Sequence, residues 1–172
     1  FGTDGWRDVI AENFTFNNLS KVTDAYAVYM QNKNVNPQII IGYDNRFLSD
    51  RYADFVANRL KEYGFDVFLL DKATPTPIVS FGVVHKKSHG GIMITASHNP
   101  FYYSGFKIKN EFGAGVTPDV TTEIEKILKR KKVIRKRKKL YVIGVYKFSD
   151  ARSQERIVKL FLASNKRCFY FI

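Results

Sequence analysis

The sequence predicts a three-layer α/β/α domain built on a mostly parallel mixed sheet. Short β-branched runs alternate with stretches of helical spacing along the chain, which is the pattern of α/β layering. The run Gln38-Ile39-Ile40-Ile41-Gly42-Tyr43 lacks polar alternation, as a strand covered on both faces should. The composition, 45% hydrophobic and 15% aromatic, is that of a globular chain able to bury a core.

Each element follows from its own pattern. Leu19, Val22, Tyr26, Tyr29 and Met30 recur at helical spacing behind Asn17 and Asn18, two candidate caps. After the 38–43 strand, Tyr52, Phe55, Val56 and Leu60 mark a second helix, with Gly64 placed as its C-terminal cap. Val67 to Leu70 reads as a short strand. Thr74-Pro75-Thr76-Pro77 breaks the chain and opens a third helix running to about Lys87. Gly91 to Thr95 and Gly105 to Ile108 read as strands around a loop, and Asp119 to about Lys132 as a last helix. Beyond it, a strand over 140–145, a helix over 154–162 and a terminal apolar strand from Cys168 are expected. The domain boundaries read as 1–132 for the first domain and 133–172 for a basic linker and the truncated start of a second.

The net charge of +12 is local, because ten Lys/Arg and no acid fall between Lys126 and Lys139. A solvated helix end and linker explain that run, with cations favoured near a helix C-terminus. Without aromatic interleaving or a recognised motif, nucleic acid is a disfavoured partner. No apolar run approaches the length that spans a bilayer, and no signal-peptide pattern opens the chain. A lone Cys168 forms no internal disulfide and no zinc cluster. A cytoplasmic protein without membrane partners is therefore expected.

Three segments bear chemistry. Thr95-Ala96-Ser97-His98-Asn99-Pro100 follows a strand directly, and the carboxyl ends of strands are where open α/β sheets place ligands. The same six residues also suit an ordinary Asn-Pro turn. In Phe1-Gly2-Thr3-Asp4-Gly5-Trp6-Arg7, two glycines free backbone amides to approach an anion, and Arg7 supplies a fork of donors suited to phosphate. An ordinary glycine turn fits as well. In Gly105-Phe106-Lys107-Ile108-Lys109, a strand lysine could hold phosphate charge or move a proton, or simply be solvated.

Taken together, FGTDGWR, GGIMITASHNP and GFKIK, in this order and spacing, resemble the α-D-phosphohexomutase superfamily (phosphoglucomutase/phosphomannomutase). Gly42-Tyr43-Asp44-Asn45-Arg46-Phe47-Leu48-Ser49 and Thr74-Pro75-Thr76-Pro77 match further family segments. The resemblance runs from Phe1 to roughly Lys132 and is faint beyond Lys139. It implies a phosphoserine enzyme that interconverts hexose 1- and 6-phosphates through a hexose 1,6-bisphosphate, which also serves as activator. By resemblance, Ser97 gives and takes the phosphoryl group, and its phosphate helps bind one Mg²⁺. His98 is a proton shuttle or polar contact, Arg7 steadies the phosphoserine, and Lys107 is the general acid/base. Asn99, Thr3 and Gly5 contact phosphate or substrate.

Asp8 stands where the family has glycine, and Ser104 where it has asparagine. The family's Asp-Gly-Asp-x-Asp-Arg metal loop and its sugar-recognition and C-terminal phosphate loops belong to later domains. They are not in these 172 residues. The expected partners are therefore a phosphosugar and the remaining mutase domains, with the isolated chain nearly inactive. Two alternatives are a stand-alone phosphate-carrying domain and a remnant that binds anions through its basic tail. GFKIK and GTDGWR resemble the glucose/mannose branch more than the glucosamine branch.

Overall fold

The computed structural model describes Gly2, residues 4–33 and residues 36–130. Over that range the chain runs β1 (Gly5–Val9), α1 (Phe16–Gln31), β2 (Gln38–Tyr43), α2 (Ser49–Glu62), β3 (Asp66–Leu69), α3 (Thr76–Lys86), β4 (Gly90–Ile94), β5 (Tyr103–Lys109) and α4 (Pro118–Lys129). Most of the basic run and the three elements expected after it lie outside the described residues.

The five strands form one sheet in the order β1-β5-β4-β2-β3. β2 pairs in parallel with β3 and with β4, whereas β5 is antiparallel to both β4 and β1. Four strands thus point one way and β5 alone is reversed. Because successive side chains alternate between faces, Ile39, Ile41, Ile92, Ile94, Phe106 and Ile108 share one face. There they join residues of α1, α2 and α4 in the larger core. Ile40 and Met93 emerge on the other face and pack on Val79 and Val83 of α3. Helices on both faces complete the three layers. Each large apolar side chain so buried stabilises the fold by roughly 1.5–3 kcal/mol.

Local chemistry sets the helix ends. At the end of α2, Gly64 has φ +85°. Its N–H donates to Lys61 O at 2.9 Å, and that of Phe65 donates to Leu60 O at 3.2 Å. This is a Schellman cap, with Phe65 and Leu60 both buried. Between α1 and α2, Arg59 clasps Asp24 in two hydrogen bonds, Nε to Oδ1 at 2.6 Å and Nη2 to Oδ2 at 2.7 Å.

Two expectations need correction. α1 begins at Phe16, and its cap is Thr15, whose Oγ1 accepts from Asn18 N–H at 3.3 Å. Asn17 and Asn18 lie inside the first turn. The glycine loop expected over residues 1–7 stops short of its end: Gly5, Trp6 and Arg7 instead open the sheet-edge strand β1, registered residue by residue on 103–107 of β5.

Candidate active site

The parallel strands β2, β3 and β4 end on the same edge of the sheet, and the loop from β4 to β5 crosses that edge. Ser97 lies in this loop, exposed, with φ +58°. A non-glycine residue in the left-handed region costs on the order of 1–3 kcal/mol and persists only when its surroundings hold it there. Three hydrogen bonds hold the turn. Ser97 N–H donates to Thr95 Oγ1 at 3.0 Å. Asn99 N–H donates to Ala96 O at 3.1 Å, and Tyr103 N–H to Pro100 O at 3.0 Å. His98 is exposed beside Ser97, and Asn99 is half-buried.

The β1–β5 ladder brings cations to this loop. Arg7 pairs with Gly105 and Gly5 with Lys107, so the Arg7 and Lys107 side chains share a face. Arg7 Nη1 donates to Asn99 Oδ1 at 3.2 Å. Asp4 bridges the two cations, with Lys107 Nζ at 3.0 Å from Oδ2 and Arg7 Nη2 at 3.4 Å from Oδ1. Burial alone would raise the Asp4 carboxyl. The Lys107 hydrogen bond and the charges of Lys107, Arg7 and Lys109 outweigh it and hold the group below its usual range. On the same strand, burial and the Lys107 charge lower Lys109.

Glycine is required where β1 and β4 approach β5. A Cβ on Gly105 would meet Thr95 O at 2.5 Å and Arg7 Cγ at 2.9 Å, and one on Gly5 would overlap Phe106 O. Gly5 is buried within the ladder, so its visible role is close strand approach. Thr3 lies outside the described residues. Asp8 turns its Oδ1 to Val9 N–H at 2.9 Å and Asn13 Nδ2 at 3.3 Å, and strand alternation separates it from the face of Arg7. Ser104 is fully buried, and its hydroxyl finds no partner among the described residues.

Three residues outside the sequence-based candidates shape the site: Asp4, Asp44 and Arg46. Arg46 reaches from the β2–α2 loop to the backbone of the Ser97 loop, with hydrogen bonds to the oxygens of Ser97, Asn99, Pro100 and Tyr103. The signal for Arg46 lay in a segment already noted, Gly42 to Ser49, but no local pattern says which backbone a guanidinium will reach. An open cleft of about 430 Å³ lies nearby, lined by Tyr43, Asp50, Arg51, Asp54, Leu69, Leu70 and Asp71. It contains none of the sequence-based site residues.

Among the described residues, no group of three or more His, Cys, Asp or Glu could hold a metal ion. Asp4 is committed to two cations, and Asp44 to Arg46 and Ser49. An octahedral Mg²⁺ shell needs more oxygen ligands than one phosphoserine offers. The described residues do not by themselves fit a resident Mg²⁺.

Residues 1–135 match the family model described as phosphoglucomutase/phosphomannomutase, alpha/beta/alpha domain I. The chain belongs to this mutase family. Among relatives, the phosphoglucomutase of Staphylococcus epidermidis RP62A is 38% identical over 106 residues, which is 62% of this chain and 19% of that protein. A Pyrococcus abyssi protein assigned as a phosphoglucosamine mutase is 35% identical over 161 residues, covering 92% of this chain and 34% of its own length. That span reaches past the basic run, so the similarity continues beyond Lys139. A solved structure from Thermus thermophilus, assigned as a phosphomannomutase, superposes with TM-score 0.73 at 39% identity, covering 74% of this chain and 29% of the other. The chain therefore spans about a fifth to a third of the mutases it matches. Mutases named for glucose and for glucosamine match at similar identity, so identity over this domain does not discriminate the sugar.

Proposed function

We propose that this chain is the phosphoserine-carrying first domain, residues 1–132, of a phosphohexomutase interconverting hexose 1- and 6-phosphates. Residues 133–172 are then a basic linker and the start of a second domain. The observation that carries the reading is Ser97 itself, an exposed hydroxyl in a strained, clamped turn at a strand end. The Arg7–Asp4–Lys107 charge network meets that turn at Asn99.

In the proposed transfer, Ser97 Oγ attacks a phosphorus of a hexose 1,6-bisphosphate. An Oγ–P bond forms, the bond from that phosphorus to the sugar oxygen breaks, and the serine proton ends on the sugar hydroxyl. The reverse step hands the phosphoryl group to the other position of a hexose monophosphate. Phosphoryl transfer depends chiefly on positioning and charge neutralisation. Arg7 is proposed to hold the phosphoryl oxygens with its fork, with Asn99 fixing the guanidinium. Lys107, paired with Asp4 at 3.0 Å, is the proposed general acid/base. His98, exposed on the same turn, is the proposed proton relay, and Thr3 and Gly5 remain proposed phosphate contacts.

Further domains would complete the site and its metal shell and choose among glucose, mannose and glucosamine. No described helix is long and apolar enough to cross a membrane, and the proposed setting is the cytoplasm. The test is isotopic. Incubated with hexose 1,6-bisphosphate labelled in its phosphates, the wild-type chain should take label on Ser97 and Ser97→Ala should take none. Label persisting in Ser97→Ala would remove Ser97 as the nucleophile.

A further inference from the structure

Arg46 comes from the loop between β2 and α2, and its bonds to the β4–β5 connection all go to backbone oxygens. Nη2 donates to Ser97 O at 2.8 Å and to Asn99 O at 2.7 Å. Nη1 donates to Pro100 O at 2.6 Å and to Tyr103 O at 3.1 Å. The remaining nitrogen, Nε, faces Asp44 Oδ2 at 3.2 Å. Asp44 is fixed in turn, its Oδ1 accepting from Arg46 N–H at 3.0 Å and from the buried Ser49 hydroxyl at 2.7 Å. The fork is thus tied to the first residue of α2 before it reaches the loop.

A trans peptide is planar, so its C=O and the following N–H point in opposite directions. The described residues contain no cis peptide bond. With the oxygens of Ser97 and Pro100 turned into the guanidinium, the N–H groups of His98 and Phe101 are turned the other way. Neither makes a hydrogen bond among the described residues. A carbonyl bonded to a cation polarises its peptide unit, which makes the N–H on the far side a stronger donor. Two such donors therefore flank the exposed turn of Ser97, on the side of the loop away from the Arg46 guanidinium.

We propose that Arg46 is a positioning residue: by drawing the loop's carbonyls inward, it presents the His98 and Phe101 N–H groups as donors to the phosphoryl group carried on Ser97. Oriented backbone amides of this kind make an anion site without a further side chain. Lysine cannot substitute, because a single ammonium has no planar fork to span four oxygens while holding a carboxylate. The proposal rests on the reading of Ser97 as phosphoryl acceptor.

The experiment uses the whole 172-residue chain, with amide resonances followed by NMR during titration with inorganic phosphate. In the wild type, the His98 and Phe101 amide protons should move downfield together as phosphate is added. In Arg46→Lys, both responses should be lost and the hydrogen-bonded amides of Ser97, Asn99 and Tyr103 should exchange roughly tenfold faster or more, while amides of β2, β4 and α2 keep their protection. In Arg46→Ala, added guanidinium ion should restore the phosphate response. Wild-type amides that ignore phosphate overturn the proposal, as does an Arg46→Lys chain with an unchanged response. A chain whose two amides respond to phosphate but whose Ser97 takes no label from hexose 1,6-bisphosphate sinks the mutase reading and leaves the amide site standing.

Discussion

Asp4 places one carboxylate between two cations, Lys107 at 3.0 Å and Arg7 at 3.4 Å. Replacing it with asparagine keeps the shape and removes the charge that holds both. Asp4→Asn should slow Ser97 labelling by about tenfold, the scale of one misplaced group in a transfer that depends on position. The pH dependence follows from the carboxyl being held below its ordinary value of 3.8. A depressed acid contributes stability above its unfolded value and loses it as pH falls through the lower folded one. The difference in melting temperature between wild type and Asp4→Asn should therefore narrow as the pH drops below about 4. A gap that widens in acid would contradict the tie. Ser104 is the opposite case, a buried hydroxyl with no partner among the described residues. Ser104→Ala removes an unsatisfied group and should leave stability level or raise it by about 1 kcal/mol, read from urea unfolding.

At the scale of elements, the helices and the central strands were legible because their own residues carry the period. The 38–43 run announced β2, and Gly64 announced the end of α2. β1 was not legible. Gly5-Trp6-Arg7-Asp8-Val9 has neither β-branched enrichment nor clean alternation, and it is a strand because β5 offers it an edge. The site divides in the same way. Ser97, Arg7 and Lys107 stand in motifs readable within a few residues. Asp4 and Arg46 matter through partners 103 and about 50 residues away, and no local pattern encodes that. Thr15 displaced Asn17 and Asn18 as the α1 cap for a related reason, since Asn13 and Asn18 are already tied together by the bond from Asn18 Nδ2 to Asn13 O at 2.9 Å. The crossing of β1, β5 and β4 depends on Gly105. Gly105→Ala, whose Cβ would meet Thr95 O at 2.5 Å, should cost about 1–3 kcal/mol of unfolding free energy. It should also slow labelling, because Arg7 packs on the same spot. An alanine variant as stable as wild type would mean the strands can part without loss.

For the whole molecule, the decisive proportion is that the chain matches only 19% of the S. epidermidis phosphoglucomutase. Among the described residues Ser97 is exposed, and they form no metal cluster of their own. A purified chain should therefore accept a phosphoryl group far better than it isomerises a sugar, and a coupled assay with hexose 1-phosphate should read close to background. Linking the chain to the remaining domains of a related mutase should raise turnover by orders of magnitude. Robust turnover by the chain alone would refute this division of labour.

The single reversed strand also sets an order of assembly. β4, its turn and β5 are contiguous, so the Ser97 turn can close as a local hairpin as soon as those residues exist. Arg7 must wait for it, because its partner Asn99 lies 92 residues later. At ribosomal rates of about 5–20 residues per second, the N-terminal segment stays unpaired for roughly 5–20 s before its docking strand is synthesised. During that interval the nascent chain carries an edge strand with no edge to join. A chaperone or a fused N-terminal tag would act there on the charge network while leaving the serine turn untouched.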